Sequence, residues 1–505
     1  MGIIKRQGLK TSIVSYGGVL LGVIFFIFVF PHLVDAKYLG LIGLLQNLMY
    51  VFATLPALGI PHILLRFFPG WKETPMLRSF NSFALLSIAL SSVLFIVLYI
   101  LFRDLIIRQY QHQSALFIPY YYAIIPLVIV FAYNQYFELY SMVHLRVALP
   151  AFLREILTRV LLILSVFLFA FHWLSESQFV VALIFSYLLS FIVLAMYTRH
   201  SHDFGLDHPR HFWKKSTERK EALQYGAYML LLNGFTNIHN FLDGIILPAY
   251  LGLSTLGIYL RPMILGVMIQ IPYRAVGLIA IPVIREAMVE NNMEKVRELN
   301  KSIGLNLFLI GTFLFTLLIA NTEGIFRIFP PEYGIARNVL YIIAVGRLLD
   351  MAFGLNSEII NYSSYYRHII LYSFLMMALT ITLNILLIPR FGMEGAAWAV
   401  SCSLILFNLL KTAFIWHTFR FHCFSRAYIP VMFVSAGTLL LLYFIPFLNL
   451  LPHHMFFNAC ANIALKGLLG CIIFLIPVYL LRISSDFNHF VQLVFSGKIL
   501  KGGSL

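Results

Sequence analysis

Long, continuously apolar stretches recur along this chain and constrain its fold more than any other feature. Each is roughly 20 residues long, which is the length at which an α-helix crosses the hydrocarbon core of a bilayer. About fourteen occur, at approximately 12–34, 39–60, 79–102, 116–140, 151–173, 178–197, 223–248, 255–277, 302–321, 338–360, 367–389, 392–415, 428–450 and 457–481. Strands of a membrane barrel would alternate in polarity over about ten residues. Because 60% of the residues are hydrophobic and only 11% are charged, the sequence predicts an all-α polytopic membrane protein.

The basic residues are sorted between the two sides of the predicted membrane. With a cytoplasmic N-terminus, the outer loops contain only Lys37, Arg103, Arg108, Arg327, Arg337 and Arg390. An excess of Lys and Arg on the other side is the positive-inside pattern, which predicts that both termini are cytoplasmic. The net charge of +15 therefore indicates topology. It does not indicate nucleic-acid binding, because no segment is large enough to gather a basic face.

Four letters, YLGL, occur twice in the same setting, at Tyr38–Leu41 and at Tyr250–Leu253, each between two apolar stretches. Shifting the first six stretches by this interval of 212 positions brings each close to one of stretches seven to twelve. The pattern predicts two six-helix bundles in tandem and two additional C-terminal helices. Six is an even number, so both bundles enter from the same side, as in transporters whose substrate path lies between two parallel repeats.

The predicted organisation has four parts. They are an N-terminal bundle over 1–197, a basic cytoplasmic linker over 198–222, a second bundle over 223–415, and two further helices with a cytoplasmic tail over 416–505. The four cysteines form no CxxC pair, which favours packing roles over metal binding. The sequence indicates no cofactor.

Two segments resemble a known family. LDGIILPAYLGLSTLGIYLRP at 242–262 and LNILLIPRFGMEGAAWAV at 383–400 are similar to the polysaccharide transporters, the Wzx-type flippases of the multidrug/oligosaccharidyl-lipid/polysaccharide exporter superfamily. The resemblance implies a flippase in the bacterial cytoplasmic membrane that moves an undecaprenyl-pyrophosphate-linked oligosaccharide outward for surface polysaccharide biosynthesis. It implies membrane lipid and other polysaccharide assembly proteins as further partners. The second segment also indicates a tight hairpin, because Gly395 and the alanines after it allow two backbones to approach closely.

Cations inside the apolar stretches are the candidate ligands for a diphosphate. Each costs at least about 2.5 kcal/mol at mid-helix and needs a partner or a wet cavity, and guanidinium groups hold phosphate oxygens through paired hydrogen bonds. The candidates are Arg261, Arg347, Arg159 and Lys466. Arg261 has no acidic residue at i±3 or i±4 and ranks first. Asp350 lies at i+3 from Arg347, so a structural ion pair and a ligand role both stay open.

Acidic residues in or near the apolar stretches are the candidates for ion coupling. They are Glu138, Asp243, Asp350 and Glu358, and Glu138 shifted by 212 positions falls on Asp350. Protons and sodium ions both suit a carboxylate. The membrane potential is a third source of energy, since moving negative charge outward is favourable by about 2.3 kcal/mol per charge per 100 mV.

Two other classes of function stay open. A drug or small-cation exporter of the same superfamily would be expected to favour an acidic, aromatic cavity, which the embedded cations oppose. A membrane enzyme, such as a polymerase or an acyltransferase, ranks last, because the sequence shows neither a sizeable outer loop nor a nucleophile with an evident base.

The charge asymmetry makes a testable prediction about orientation. A cysteine introduced at Ser201 should be shielded from an impermeant thiol reagent in intact cells, whereas one at Ser254 should react, because the two positions lie on opposite sides of the predicted membrane. The opposite labelling pattern would reverse the orientation and the direction of transport.

Overall fold

The protein is built entirely from helices in the part that the structure describes. A computed structural model describes residues 14–15, 17–201, 204–214, 216–449 and 454–495, and no strand occurs among them. The chain divides between Arg261 and Pro262 into two compact units, called unit 1 and unit 2 below. This confirms the predicted all-α membrane fold.

Unit 1 begins with an apolar helical segment over Gly17–Leu33. Its α-helices are α1 (Phe30–Leu33), α2 (Ala36–Phe52), α3 (Thr54–Ala57), α4 (Ile60–Trp71), α5 (Pro75–Leu101), α6 (Arg103–Tyr110), α7 (Ile124–Val143), α8 (Ala148–Phe152), α9 (Thr158–Ala170), α10 (Glu176–Ser201), α11 (Arg210–Lys214), α12 (Ser216–Phe241), α13 (Asp243–Leu251) and the start of α14 (Leu253–Val267). A 3₁₀ segment over Ala115–Ala123 leads into α7, and π-helical turns occur over Val23–Val29 and Leu153–Leu157.

Unit 2 begins within α14, and short 3₁₀ segments lie over Met268–Gln270 and Pro331–Ala336. Its α-helices are α15 (Ile271–Val289), α16 (Met293–Ala320), α17 (Thr322–Ile328), α18 (Arg337–Ala352), α19 (Asn356–Tyr362), α20 (His368–Phe419), α21 (Tyr428–Tyr443), α22 (Met455–Leu480) and α23 (Ser485–Phe495).

Long apolar helices are common in both units. Within the described residues, eight are long and apolar enough to cross a membrane, or nine if the bent pair Pro331–Ala352 and Asn356–Tyr362 forms one span. The 52-residue α20 contains two arms, because Gly392 interrupts it with φ 60° and ψ −136°. Several predicted spans are divided by such breaks or are shorter than 18 residues. The count of fourteen therefore remains a prediction.

The second predicted span is broken where α3 meets α4. Leu58 and Gly59 adopt left-handed backbone angles, with φ 48° and φ 66°, so α4 leaves in a new direction. A side chain at Gly59 would overlap the backbone carbonyl of Gly226 in α12. Only glycine combines this backbone angle with so close an approach. The break therefore fixes α4 against α12.

The two YLGL segments meet in unit 1. Gly252 has φ 89° and forms the turn between α13 and α14, whereas Gly40 lies inside α2. A Cβ atom at Gly40 would overlap the carbonyl oxygen of Leu253, and one at Gly257 would overlap that of Ala36. The repeated glycines thus have different roles, one turning the chain and the other permitting a close helix crossing.

Part of the predicted linker packs onto α5 within unit 1. Phe212 is fully buried, and its ring lies 5.4 Å from that of Phe80 in α5. Ser79 and Asn81 of α5 donate hydrogen bonds to the backbone carbonyls of His208 and Gly205, at 3.0 and 3.1 Å. This stretch of the linker is anchored to the start of α5.

The predicted hairpin of the second family segment is also present. A side chain at Gly395 would overlap the carbonyl oxygen of Leu387, and both Ala396 and Ala397 are fully buried. The turn occurs at Gly392, two residues beyond Arg390. Small residues therefore permit the two arms of α20 to pack tightly.

The Gly40 crossing predicts a selective loss of stability. Gly40→Ala should destabilise the protein by roughly 1–3 kcal/mol, since its methyl group has no space beside the Leu253 backbone. Gly234→Ala is the matched control, because nothing lies within 4 Å of a Cβ atom there. The melting temperature of each variant is measured in detergent. Equal melting temperatures for the two variants would show that the crossing does not limit stability.

Candidate functional site

A polar cavity lies inside unit 1, beside the break between α3 and α4. Its volume is about 290 Å³. Its lining comes from α3, the start of α4, α7 and α12: Thr54, Ala57, Gly59, Pro61, His62, Gln135, Glu138, Leu139, Leu230, Asn233 and Asn237. The break exposes this space because α4 cannot continue the line of α3. A cavity this rich in polar groups is unusual within an apolar helical unit.

Glu138 contributes the acidic group of the cavity. One carboxylate oxygen accepts a hydrogen bond from Asn134 Nδ2 at 3.0 Å, and the other accepts one from Arg154 Nη1 at 3.0 Å. Arg154 also contacts Glu155 at 3.1 Å, and Glu155 pairs with Arg159 at 2.8 Å. The four charged groups form a chain of alternating sign, so their net charge is zero.

Arg159 is the last residue in this series of four charged groups. Besides its pair with Glu155, its Nη1 donates to the backbone carbonyl of Gly18. Its side chain is 29% exposed. Arg159 was a predicted substrate ligand, and in this structure its guanidinium group is already engaged by the protein.

Arg261 and Asp243 are both buried in unit 1. Arg261 is 4% exposed and Asp243 is 2% exposed. Asp243 accepts a hydrogen bond from the Tyr259 hydroxyl at 2.6 Å and one from the backbone N–H of Gly244 at 2.9 Å. The segment that carried the family resemblance therefore places an arginine and a carboxylate in the protein interior.

Unit 2 contains a second set of charged groups, which lie partly buried around Gln270. Gln270 Oε1 accepts a hydrogen bond from Arg347 Nη1 at 3.0 Å, and Gln270 Nε2 donates to Asp350 Oδ2. The other oxygen of Asp350 accepts a hydrogen bond from Asn408 in α20. An amide thus lies between Arg347 and Asp350, for which the sequence left a structural pair and a ligand role open.

Glu358 and Lys411 complete this network, which comprises Gln270, Tyr273, Arg347, Asp350, Glu358, Asn408 and Lys411 and is called the unit 2 network below. The Tyr273 hydroxyl lies 3.1 and 3.2 Å from the two oxygens of Glu358. Lys411 Nζ donates to the Ser357 hydroxyl at 2.8 Å and lies 3.9 Å from the centre of the Phe407 ring. Lys411 is 4% exposed. The network has a net charge of zero when all four of its charged groups are ionised, because it contains two acids and two cations.

Lys411 and Gln270 were not among the site residues predicted from the sequence. Lys411 lies within the apolar stretch 392–415, so its position alone could have identified it as an embedded cation. Gln270 is uncharged and gives no comparable signal. Lys466 was predicted as an embedded cation, and it is buried within unit 2 at 8% exposure.

The described residues contain no cluster of three His, Cys, Asp or Glu side chains that could hold a metal ion. The polar groups here can bind anions through Arg and Lys, and hydroxyl groups through amides and carboxylates. They can also transfer protons. The substrate and coupling roles of the eight predicted residues remain predictions.

Solved structures with similar folds are membrane transporters. The lipid II flippase MurJ in an inward closed conformation aligns with 93% of this chain and 98% of its own, with a TM-score of 0.68 and 14% identity. An inward-facing multidrug resistance MATE family transporter of the MOP superfamily covers 80% of this chain and 94% of its own, with a TM-score of 0.63 and 16% identity. The D35N mutant of the Vibrio cholerae MATE transporter VcmN aligns with 83% of this chain and 98% of its own, with a TM-score of 0.55 and 15% identity. These likenesses establish a shared fold.

The sequence itself matches a family model. No curated protein matches the chain. Residues 5–288, more than half of the 505, match the model for polysaccharide biosynthesis proteins. This match and the transporter fold confirm the relationship that the two segments at 242–262 and 383–400 predicted. The chain belongs to the polysaccharide biosynthesis protein family, and it has the fold of the MOP superfamily transporters.

Proposed function

We propose that this protein is a flippase for a lipid-linked oligosaccharide. Its cargo is an undecaprenyl-pyrophosphate-linked glycan, moved from the inner to the outer leaflet of the bacterial cytoplasmic membrane for surface polysaccharide biosynthesis. The observation that carries the proposal is Arg261, a buried cation at 4% exposure in a polysaccharide biosynthesis protein. A transporter of similar fold, MurJ, is a lipid II flippase, which supports a lipid-linked cargo.

Arg261 is the first candidate for the diphosphate. A buried guanidinium group offers two parallel hydrogen bonds to phosphate oxygens, and low exposure strengthens them by excluding water. Arg159 and Arg347 are secondary candidates, because both are partly exposed whereas Arg261 is buried. Lys466 offers only a point charge.

The unit 2 network is the proposed element for energy coupling. Protonation or sodium binding at Asp350 or Glu358 would unbalance the two acids and two cations. A buried charge without compensation is costly, so such an event would favour another arrangement of α18 and α20. The acids Glu138 and Asp243 are the alternative coupling groups. An outward-directed cargo charge would also gain energy from the membrane potential.

A multidrug exporter is the alternative function, because the same fold includes MATE transporters. An exporter of small cations would be weakened by a buried arginine in its binding site. Purified protein in liposomes distinguishes these functions. Labelled lipid-linked sugar should cross the bilayer chemically unchanged, and a membrane enzyme would alter the label.

The diphosphate role predicts a specific transport defect in Arg261 variants. Arg261→Ala should reduce flipping roughly ten- to hundredfold, since hydrogen bonds to charged groups contribute about 1.5–3 kcal/mol, while membrane insertion is retained. Arg261→Lys should recover part of the rate, because an ammonium group lacks the paired geometry. Arg108→Ala, at an exposed position, is the control. Wild-type flipping by Arg261→Ala would remove Arg261 from the cargo site.

Arg347 and Asp350 provide a test that separates a structural role from a ligand role. Arg347→Ala should lower the amount of folded protein in the membrane, because it disturbs the charge balance around Asp350. If the role is structural, adding Asp350→Asn should restore both folding and binding of the labelled lipid-linked sugar. If Arg347 binds cargo, the double variant should fold and still bind that sugar weakly. Membrane expression and sugar-lipid binding are measured for the two single variants and the double variant, because binding does not depend on the proposed coupling role of Asp350.

A further inference from the structure

The polar cavity of unit 1 has the chemistry of a sugar site. We propose that it binds one uncharged sugar residue of the glycan, apart from the groups that hold the diphosphate. This inference rests on the proposed function, since it assigns a part of the same cargo to a particular cavity. The residues that carry it are His62, Gln135, Glu138, Asn233 and Asn237, all of which line the cavity.

Three of these side chains have unused hydrogen-bonding capacity. Within the described ranges 17–201 and 216–449, no hydrogen bond is formed by the side chains of His62, Gln135 or Asn233. An amide offers two donors and an acceptor, and an imidazole offers both kinds of group. Leaving such groups unsatisfied in an apolar unit is costly. Water or a ligand with matching groups must therefore occupy the space they line.

A sugar ring matches these groups better than a small ion does. Each sugar hydroxyl both donates and accepts, as do the amides of Gln135 and Asn233. The carboxylate of Glu138 retains lone pairs beyond those used by Asn134 and Arg154. The positive charge of the Arg154 guanidinium, 3.0 Å from Glu138, disfavours the binding of a metal cation at that carboxylate. The negative charge of the carboxylate disfavours the binding of a phosphate group.

The cavity volume also favours a sugar. About 290 Å³ greatly exceeds the space of a single ion and lies near the lower end of the roughly 300–1,000 Å³ of ligand pockets. One monosaccharide ring suits this space, whereas a whole oligosaccharide does not. The site would therefore contact a single residue of the glycan.

The experiment compares binding of lipid probes with and without a sugar. The full-length protein in nanodiscs is titrated with a polyprenyl pyrophosphate and with three derivatives that carry a hexose, an N-acetylhexosamine or a 6-deoxyhexose. Wild-type protein should bind at least one derivative more tightly than the bare pyrophosphate. Gln135→Leu and Asn233→Leu should each reduce that preference about three- to tenfold, the effect of one neutral hydrogen bond, and leave the affinity for the bare probe unchanged.

Two control variants sharpen the comparison. Gln111→Leu changes an exposed amide outside the cavity and should leave the preference unchanged. Leu139→Phe adds volume at the cavity wall and should reduce the preference by steric exclusion. Arg261→Ala should instead weaken all four probes. An equal loss for bare and glycosylated probes in Gln135→Leu and Asn233→Leu, or no loss for either, would overturn the sugar assignment.

An ion site predicts a different outcome. If the cavity variants alter the sodium or pH dependence of transport and leave the sugar preference unchanged, the cavity binds an ion and the proposal is wrong. If wild-type protein binds none of the pyrophosphate probes, the proposed function fails. The sugar site is then tested separately. Asn233→Cys is introduced into a protein whose four native cysteines are replaced, and the reactivity of the new thiol is measured. Protection of that thiol by methyl glycosides would retain the site, and lack of protection would overturn it.

Discussion

Compensation of buried charge is the constraint on which the rest of this structure depends. A charged group at the centre of a spanning helix costs at least about 2.5 kcal/mol, and the protein interior reduces that cost only where partners are close. Glu138, Arg154, Glu155 and Arg159 compensate one another in unit 1 through contacts of 2.8–3.1 Å. In unit 2, Arg347 and Asp350 share Gln270. The unit 2 contacts join helices that are distant in sequence, with Gln270 and Asp350 80 positions apart, whereas the unit 1 charges join consecutive elements.

Backbone breaks create the space in which these groups can work. Leu58 and Gly59, with φ 48° and 66°, stop α3 and redirect α4, and the polar cavity lies beside that break. Without it, a continuous helix would present regular side chains to α7 and α12 and would fill the gap. Conversely, the crossing at Gly40 and Gly257 brings backbones together. Gly59 therefore permits the helix break beside the cavity, whereas Gly40 and Gly257 permit two helices to cross closely.

The sequence predicted the fold class well because insertion into a membrane depends on local composition. Runs of apolar residues and the distribution of Lys and Arg are visible without any knowledge of tertiary contacts. The family was also predictable, from the segments at 242–262 and 383–400. The cavity could not be predicted, because nothing in the sequence distinguishes His62, Gln135 and Asn233 from other polar residues. Only the folded chain, with its backbone break, places them around one space. Gln270 was missed for the same reason, since an amide shows its bridging role only when both of its charged neighbours are in place.

The same compensation sets a limit on how a flippase can hold its cargo. A guanidinium group that is already paired with a carboxylate, as Arg159 is with Glu155 at 2.8 Å, has fewer donors left for a phosphate, and breaking the pair would leave a largely buried acid behind. Cations that are held in such pairs are consequently less available to an anionic ligand. Neutral sugar hydroxyls carry no such cost, since they can join a balanced site and leave its charges unchanged. A cargo with a charged and an uncharged part is therefore best held by two chemically distinct sites, a buried cation for the diphosphate and a balanced polar cavity for the glycan.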